Sequence, residues 1–310
     1  MPLNSSLITG AQSLFGVKTK LQFGNTSVTA VFSQQNSESN TVIAEGGASI
    51  QPFELRATDY DTDRHFFLSQ YFFDNYANAL KNYPLINSQI NITRIEVWIT
   101  NRNASTEDFR SIVAFADLGE TNDPNTSYNN LVNTNGDIQS TNPPSTNSGN
   151  IPTNESNNLS SFLTNTSGIR NISTVNSAIQ SFSTAMREGT DYSILENARK
   201  LQPNEYVVHP QLGYISLNRR LGEADVLAVA YEYTITGSPT VHKVGELSTD
   251  GVVAPKNLIV KLLRSEILNT SLPVWDLMMK NVYSLGAFQM SQDGFRFELL
   301  YNDDATSINS

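Results

Sequence analysis

Three aspartates at alternate positions, Asp59, Asp61 and Asp63, open the stretch DYDTDRHFFLSQYFF directly ahead of a block of aromatic residues. Acidic ligands at positions one, three and five begin a calcium-binding EF-hand loop, because a hard cation takes oxygen donors. That loop also needs a glycine at position six and a bidentate glutamate at position twelve. Arg64 and Gln70 stand there instead. The spacing therefore favours a helix start, with Asp63 expected as an N-cap whose carboxylate accepts a backbone N–H and meets the positive end of the helix dipole. On that reading Asp63→Ala removes a cap, and calcium changes nothing.

The other candidates for chemistry are weaker. His65, His209 and His242 are isolated, with no His-x-His or Glu-x-x-His pairing beside them, so a zinc site would have to be assembled by the fold. Gly46-Gly47 is followed by ASIQPF rather than by a phosphate loop's Lys-Ser/Thr, and no Gly-x-Ser-x-Gly elbow occurs. Asp303 and Asp304 are adjacent, and neighbours in an extended segment point to opposite sides. No catalytic, cofactor-binding or metal-ligating residue is expected, and the chain is not expected to be an enzyme.

The whole chain sets further bounds. Its 310 residues, 39% of them hydrophobic, can bury a substantial core. Lys plus Arg number 20 against 30 Asp plus Glu, a net charge of −10, so the basic footprint of a nucleic-acid binder is missing. There is no cysteine, which removes thiolate metal sites, catalytic thiols and disulfides. The opening MPLNSSLITG has neither a basic nor an apolar signal region; if the protein is exported, its signal is expected elsewhere or to have been removed, and the chain is expected to be a segment of something longer. No apolar run is long enough for a membrane helix, so any crossing must use β-strands.

The elements that would position a site read as follows. SLFGVKTKLQFGNTSVTAVFSQQ alternates on both sides of Gly24-Asn25, a pair suited to a two-residue II′ turn. That turn sets Leu21 against Val28 and Val17 against Phe32. Phe15, Val17, Leu21, Phe23, Val28, Ala30 and Phe32 then share one face, and Lys18, Lys20, Gln22, Ser27, Thr29 and Ser33 the other. Each strand runs about ten residues, which suits a tilted membrane β-strand and equally a long strand in a sheet with one wet face. A strand is expected at Phe53 to Ala57 and a helix from about Arg64 to Asn82, its aromatic stripe lying on a sheet. INITRIEVWIT and SIVAFADL read as strands.

From about Thr121 to Ser173, Asn, Ser, Thr, Pro and Gly dominate, and a disordered insertion is expected, because so little apolar surface cannot offset the entropy of ordering. Deleting Asn122 to Asn171 should then leave the core intact. VNSAIQSFSTAM and DYSILENARKL read as helices, then EYVVH, GYISLN, VLAVAYEYTIT, TVHKVGEL and LIVKLLR as strands. PVWDLMMKNVYSLG reads as a helix from Pro273 to Gly286, and FRFELLYND as a closing strand. The expected class is α+β, mixed but mainly antiparallel, divided into a hairpin at 1–40, a first α+β part at 50–120, the insertion at 121–173 and a second α+β part at 174–304.

The wordings NITRIEVWITN, ARKLQPNEYVVHPQLGYISLN, VLAVAYEYT, PVWDLMMKNVYSLG and FRFELLYNDD, with SLFGVKTKLQFG and TAVFSQQ, resemble the SprA/Sov family, the outer-membrane translocon of the type IX secretion system in Bacteroidetes. The resemblance spans Leu14 to Asp304, and family members are several times longer, so the chain resembles one internal segment. The resemblance implies part of a very large outer-membrane β-barrel that passes folded cargo and supports gliding motility in some members. It also implies partners: a PorV-type lateral-gate barrel, a periplasmic plug protein, and secreted cargo with a C-terminal signal. It brings no catalytic motif and no cofactor. Under it, Phe15, Val17, Leu21, Val28 and Phe32 are expected to face outer-membrane lipid and Lys18, Lys20, Ser27 and Thr29 the lumen. The rest is expected as a folded insertion at one pore mouth, on the extracellular rather than the periplasmic side. The alternative class is a soluble cell-surface module or adhesin domain recognising a glycan or peptide.

Overall fold

The computed structural model describes residues 14–23, 26–35, 44–45, 48–49, 53–102, 109–121, 137–139, 151–286, 295–300, 302–303 and 308–309. The chain divides into two units, Met1–Glu54 and Leu55–Ser310. In the first, β1 (Leu14–Phe23) and β2 (Thr26–Gln35) are ten residues each and pair antiparallel. Their register sets Val17 opposite Phe32, Leu21 opposite Val28 and Lys20 opposite Thr29, as the alternation requires. The turn residues Gly24 and Asn25 lie outside the described residues. A short pair, β3 (Ala44–Glu45) and β4 (Ala48–Ser49), follows.

The second unit is α+β. Its elements are β5 (His65–Phe67), α1 (Gln70–Leu80), β6 (Ile90–Ile99), β7 (Phe109–Phe115), α2 (Asn158–Asn165), α3 (Val175–Phe182), β8 (Tyr192–Lys200), β9 (Tyr206–His209), β10 (Tyr214–Leu217), β11 (Leu227–Ile235), β12 (Val241–Val244), β13 (Leu258–Arg264), α4 (Val274–Leu277), β14 (Asn302–Asp303) and β15 (Ile308–Asn309). Five of the strands close on themselves. β11 pairs β13, β13 runs parallel to β7, β7 pairs β8, β8 meets β6 through Trp98–Lys200 and Ile99–Arg199, and β6 returns to β11 along its length. β12 extends β11 beyond the ring, and β5, β10 and β9 form a separate antiparallel sheet.

The ring explains why its strands carry apolar residues at successive positions. Ile112, Ala114, Ala198, Ala228, Ala230, Leu258, Val260 and Leu262 pack together with Trp98, and alternation along the strands turns this set to the inside. A five-stranded barrel is narrow, so its interior suits alanines around a few larger side chains. The opposite set, including Val113, Phe115, Val229, Tyr231, Ile259 and Leu263, packs with Phe72 of α1, Leu159 and Leu163 of α2 and Val175 and Ile179 of α3. β13 is buried at all seven positions, as expected of a strand covered on both faces.

Several expected elements are different in the structure. Phe53 to Ala57 is not a strand. The helix expected from Arg64 begins at Gln70, because His65, Phe66 and Phe67 pair with β10 and both phenylalanines are buried there. DYSILENARKL is a strand: Tyr192 to Arg199 pair with β7, and that contact overrides the helix preference of Leu-Glu-Asn-Ala-Arg-Lys. The helix expected from Pro273 to Gly286 stops after one turn, as Met278 turns extended and bridges to Phe66. Phe295 to Leu300 is irregular.

The largest correction concerns the Asn/Ser-rich segment. Residues 122–136 and 140–150 lie outside the described residues, but 137–139 and 151–173 are folded. Leu159, Leu163 and Ile169 are wholly buried. Asn157 caps α2 by accepting from Leu159 N, and its amide donates to Asp117 O at 2.7 Å and Glu120 O at 3.0 Å. Arg170 forms a two-pronged ion pair with Glu246, 2.6 Å at each contact. Composition misled because three apolar residues and a few side chains bonded to distant backbone are enough to order a short segment. Deleting Asn122 to Asn171 should therefore unfold the second unit rather than spare it; an unchanged urea midpoint for that deletion would contradict the packing.

Candidate functional site

The three opening aspartates separate. Asp59 accepts from its own neighbourhood, Arg56 N at 2.9 Å. Asp61 is a charge hub: one oxygen meets Arg64 at 2.9 Å and His65 Nε2 at 3.5 Å, and the other meets Arg220 at 3.3 Å. Asp63 is not a helix cap. It sits at φ +59°, and its Oδ1 accepts from Arg264 Nε at 2.8 Å. The N-cap position of α1 is Ser69, whose side chain makes no capping bond; Gln70 N donates instead to Glu120 Oε1 at 3.2 Å. The cap expected of Asp63 is thus supplied by a carboxylate fifty residues away.

The histidines also go to separate partners. His65 Nδ1 lies 2.8 Å from Ser216 Oγ, while His209 stacks on Tyr214 and His242 on Tyr233. Among the described residues no group of three His, Asp or Glu side chains could hold a metal ion. The line Asp61, His65, Ser216 carries the residue types of a nucleophile relay. Arg64 and Arg220 both engage the Asp61 carboxylate, and Arg64 is tied to Leu217 twice, its C=O accepting from Leu217 N at 2.8 Å and its Nε donating to Leu217 O at 3.0 Å.

Charge around this hub gives a pH dependence. Burial lowers the pKa of His65 from 6.5, with Asp61 opposing, and burial together with His65 lowers that of His209. Burial also works against ionisation of Asp61, but Arg220, Arg64 and His65 outweigh it and hold its carboxyl below the ordinary 3.8. Below pH 6.5 the unfolded chain takes protons on its histidines that the folded chain resists, so stability should decline from there downward. Asp61 adds a second loss only as pH falls below 3.8, through its depressed folded value. Urea midpoints between about pH 5 and 7 should fall with acidification, and less steeply in His65→Gln; a flat profile would contradict the burial of both rings.

The sequence reading missed the buried charges that organise the second unit. Lys261 and Glu120, both nearly inaccessible, form an ion pair at 2.6 Å, and Lys261 also donates to Ala116 O. Arg264 is 2% exposed and donates to Asp63, Asp225 O and Glu223 O. A signal existed: LIVKLLR places a lysine and an arginine in an otherwise apolar run, and a charge in a strand buried on both faces must find a partner.

A cavity of about 500 Å³ lies beside β6 and is lined by residues including Arg94, Glu96, Lys200 and Tyr206. Its charges are already matched. Lys200 and Ser248 both bond Glu96 at 2.6 Å, and Arg94 bonds Glu232 at 3.0 Å and Thr249 at 2.7 Å. The aromatic stripe is mostly core: Phe67, Phe73, Tyr76 and Tyr214 meet edge to face. Among the described residues no helix is long and apolar enough to cross a membrane. The hairpin positions Phe15, Val17, Leu21, Val28, Phe32, Lys18, Lys20, Ser27 and Thr29 all fall on the two long paired strands of the first unit.

The geometry thus offers buried ion pairs that serve the fold and a long antiparallel hairpin. The family described as motility related/secretion protein, SprA_N, matches residues 1–219, from the hairpin through β10. No curated protein matches the chain. With 219 of its 310 residues matched, the chain belongs to the SprA_N family of motility related/secretion proteins.

Proposed function

We propose that the chain is a segment of an outer-membrane protein-secretion pore, a type IX translocon related to gliding motility, in which β1 and β2 form part of the barrel wall. The observation that carries this reading is the hairpin register in a chain of a motility and secretion family. Ten-residue strands match what a tilted β-strand needs to span a bilayer. In the pairing observed, Val17 is opposite Phe32 and Leu21 opposite Val28, while Lys20 is opposite Thr29 and Gln22 opposite Ser27. In these four pairs apolar meets apolar and polar meets polar, as a wall between lipid and an aqueous lumen requires, while Lys18 opposite Val31 and Thr19 opposite Ala30 are mixed.

In this role the chain performs no catalysis. The second unit is the folded insertion of the pore on the extracellular side. The partners that follow from the reading are a PorV-type lateral-gate barrel, a periplasmic plug protein, cargo with a C-terminal secretion signal, and outer-membrane lipid.

The reading is tested in the full-length parent protein. Leu21→Arg near the bilayer centre should cost about 2–4 kcal/mol and reduce outer-membrane assembly and cargo secretion. Thr29→Arg on the lumen side should leave assembly near that of the parent. Equal assembly of the two variants would count against a barrel wall.

A further inference from the structure

A second cavity, about 230 Å³, lies along α1, between it, residues 87–89 and the 211–212 turn. Its floor is one helical row, Phe72, Tyr76 and Ala79, and its near side the adjoining row of Tyr71, Asn75 and Asn78. Phe72 and Ala79 are buried, so the floor is apolar; Tyr71 and Tyr76 are half-buried and present ring surface. The walls are tied down by backbone bonds. Asn87 N donates to Ala79 O at 2.9 Å. Across the groove, Gly213 N donates to His209 O at 2.8 Å, Leu68 N to Gly213 O at 2.9 Å and Ile92 N to Pro210 O at 3.0 Å. Such a groove is formed before a ligand arrives, which lowers the ordering cost of binding.

The rim is unusual in its chemistry. No charged side chain lines the cavity. Four amide residues at its edge, Asn78, Asn87, Gln89 and Gln211, make no side-chain hydrogen bond among the described residues. Each offers a carbonyl acceptor and two N–H donors in one plane. Unused donor–acceptor pairs around aromatic rings suit a ligand that is uncharged, carries vicinal hydroxyls and has an apolar C–H face, which describes a pyranose ring. A charged ligand would find no counter-charge here. A peptide bound by strand addition would need a free strand edge, and the walls are a helix, a turn and a segment whose Gln89 carbonyl is already bonded by Thr236 N. The volume is below the roughly 300–1,000 Å³ of pockets that hold drug-sized ligands, so it fits a single ring.

We propose that this groove binds one neutral monosaccharide unit of a glycan. The site is lined by residues of the second unit alone, and the proposal does not depend on the secretion reading. The test uses the 310-residue chain and saturation-transfer NMR with methyl glycosides of glucose, galactose, mannose and N-acetylglucosamine, and with a neutral tripeptide and glucuronic acid as controls. The expected result is saturation of the C–H face of at least one neutral glycoside, with shifts in the Asn and Gln side-chain amide signals. Asn78→Ala and Gln211→Ala, both exposed and expected to melt as the parent does, should each weaken that binding about 2- to 10-fold. Lack of saturation in all four glycosides would overturn the proposal. So would unchanged affinity in both variants, or stronger binding of the tripeptide or of glucuronic acid.

Discussion

Lys261→Met should destabilise the second unit by about 3–5 kcal/mol, the loss typical of removing one partner from a buried ion pair. Lys261 and Glu120 are 1% and 3% exposed and 2.6 Å apart, so neither can recover solvation when the other is lost. The effect should spread, because Glu120 also accepts from Gln70 N at the start of α1, and burying its carboxylate without a counter-charge strains that helix start. Adding Glu120→Gln should restore much of the loss: the amide oxygen keeps the bond from Gln70 N, and the buried negative charge is gone. A double-mutant cycle read by urea unfolding should show strong coupling. Additive losses, or a single variant within about 1 kcal/mol of the parent, would mean that the pair is not the buried anchor described.

Gly213→Ala should be of similar size for a different reason. Gly213 holds φ +62°, and a Cβ there would run into the Cδ1, Cγ and Cε1 atoms of Phe72, a ring that is 3% exposed. The left-handed conformation and the overpacking cost roughly 1–3 kcal/mol each, giving about 2–6 kcal/mol together. Gly237 separates the two contributions, since at φ +86° it has nothing within 4 Å of an added Cβ. Gly237→Ala should lose only the backbone part, about 1–2 kcal/mol. Equal losses at both positions would show that the contact with Phe72 carries no weight.

What could be read in advance follows the range of the interactions involved. The hairpin register was legible because it depends on a local turn and a two-residue period, and β6, β7, β9, β10, β11, β12 and β13 showed as apolar or alternating runs. α3 was legible because Val175 and Ile179 recur at helical spacing and are buried, although the expected face ran on to Met186 and the helix ends at Phe182. The start of α1 was not, since the group that satisfies its first N–H is Glu120. The role of Asp63 was hidden likewise, its partner Arg264 lying 201 residues away. Short-range signals at 59–63 looked like a metal loop or a cap, and long-range charge decided the matter. The folding of 151–173 rests on Asn157 and Arg170 reaching Glu120 and Glu246, which no composition count registers. Ring closure escaped because its last joint, between β6 and β8, rests on two residue pairs, Trp98 with Lys200 and Ile99 with Arg199.

The reading of the hairpin as barrel wall is tested most directly by lipid contact itself. The chain has no cysteine, so single cysteines at Val17, Val28, Lys18 and Ser27 in the full-length parent can each carry the only reactive thiol of this segment. A lipid-soluble photoreactive probe dissolved in the bilayer should label Val17→Cys and Val28→Cys strongly and Lys18→Cys and Ser27→Cys weakly, since the two sets alternate along paired strands. A soluble sheet with one wet face penalises Leu21→Arg just as a membrane wall does, but only a membrane wall gives this asymmetry with a probe confined to lipid. Labelling that is equal at all four positions, or absent from all of them, would contradict a barrel wall.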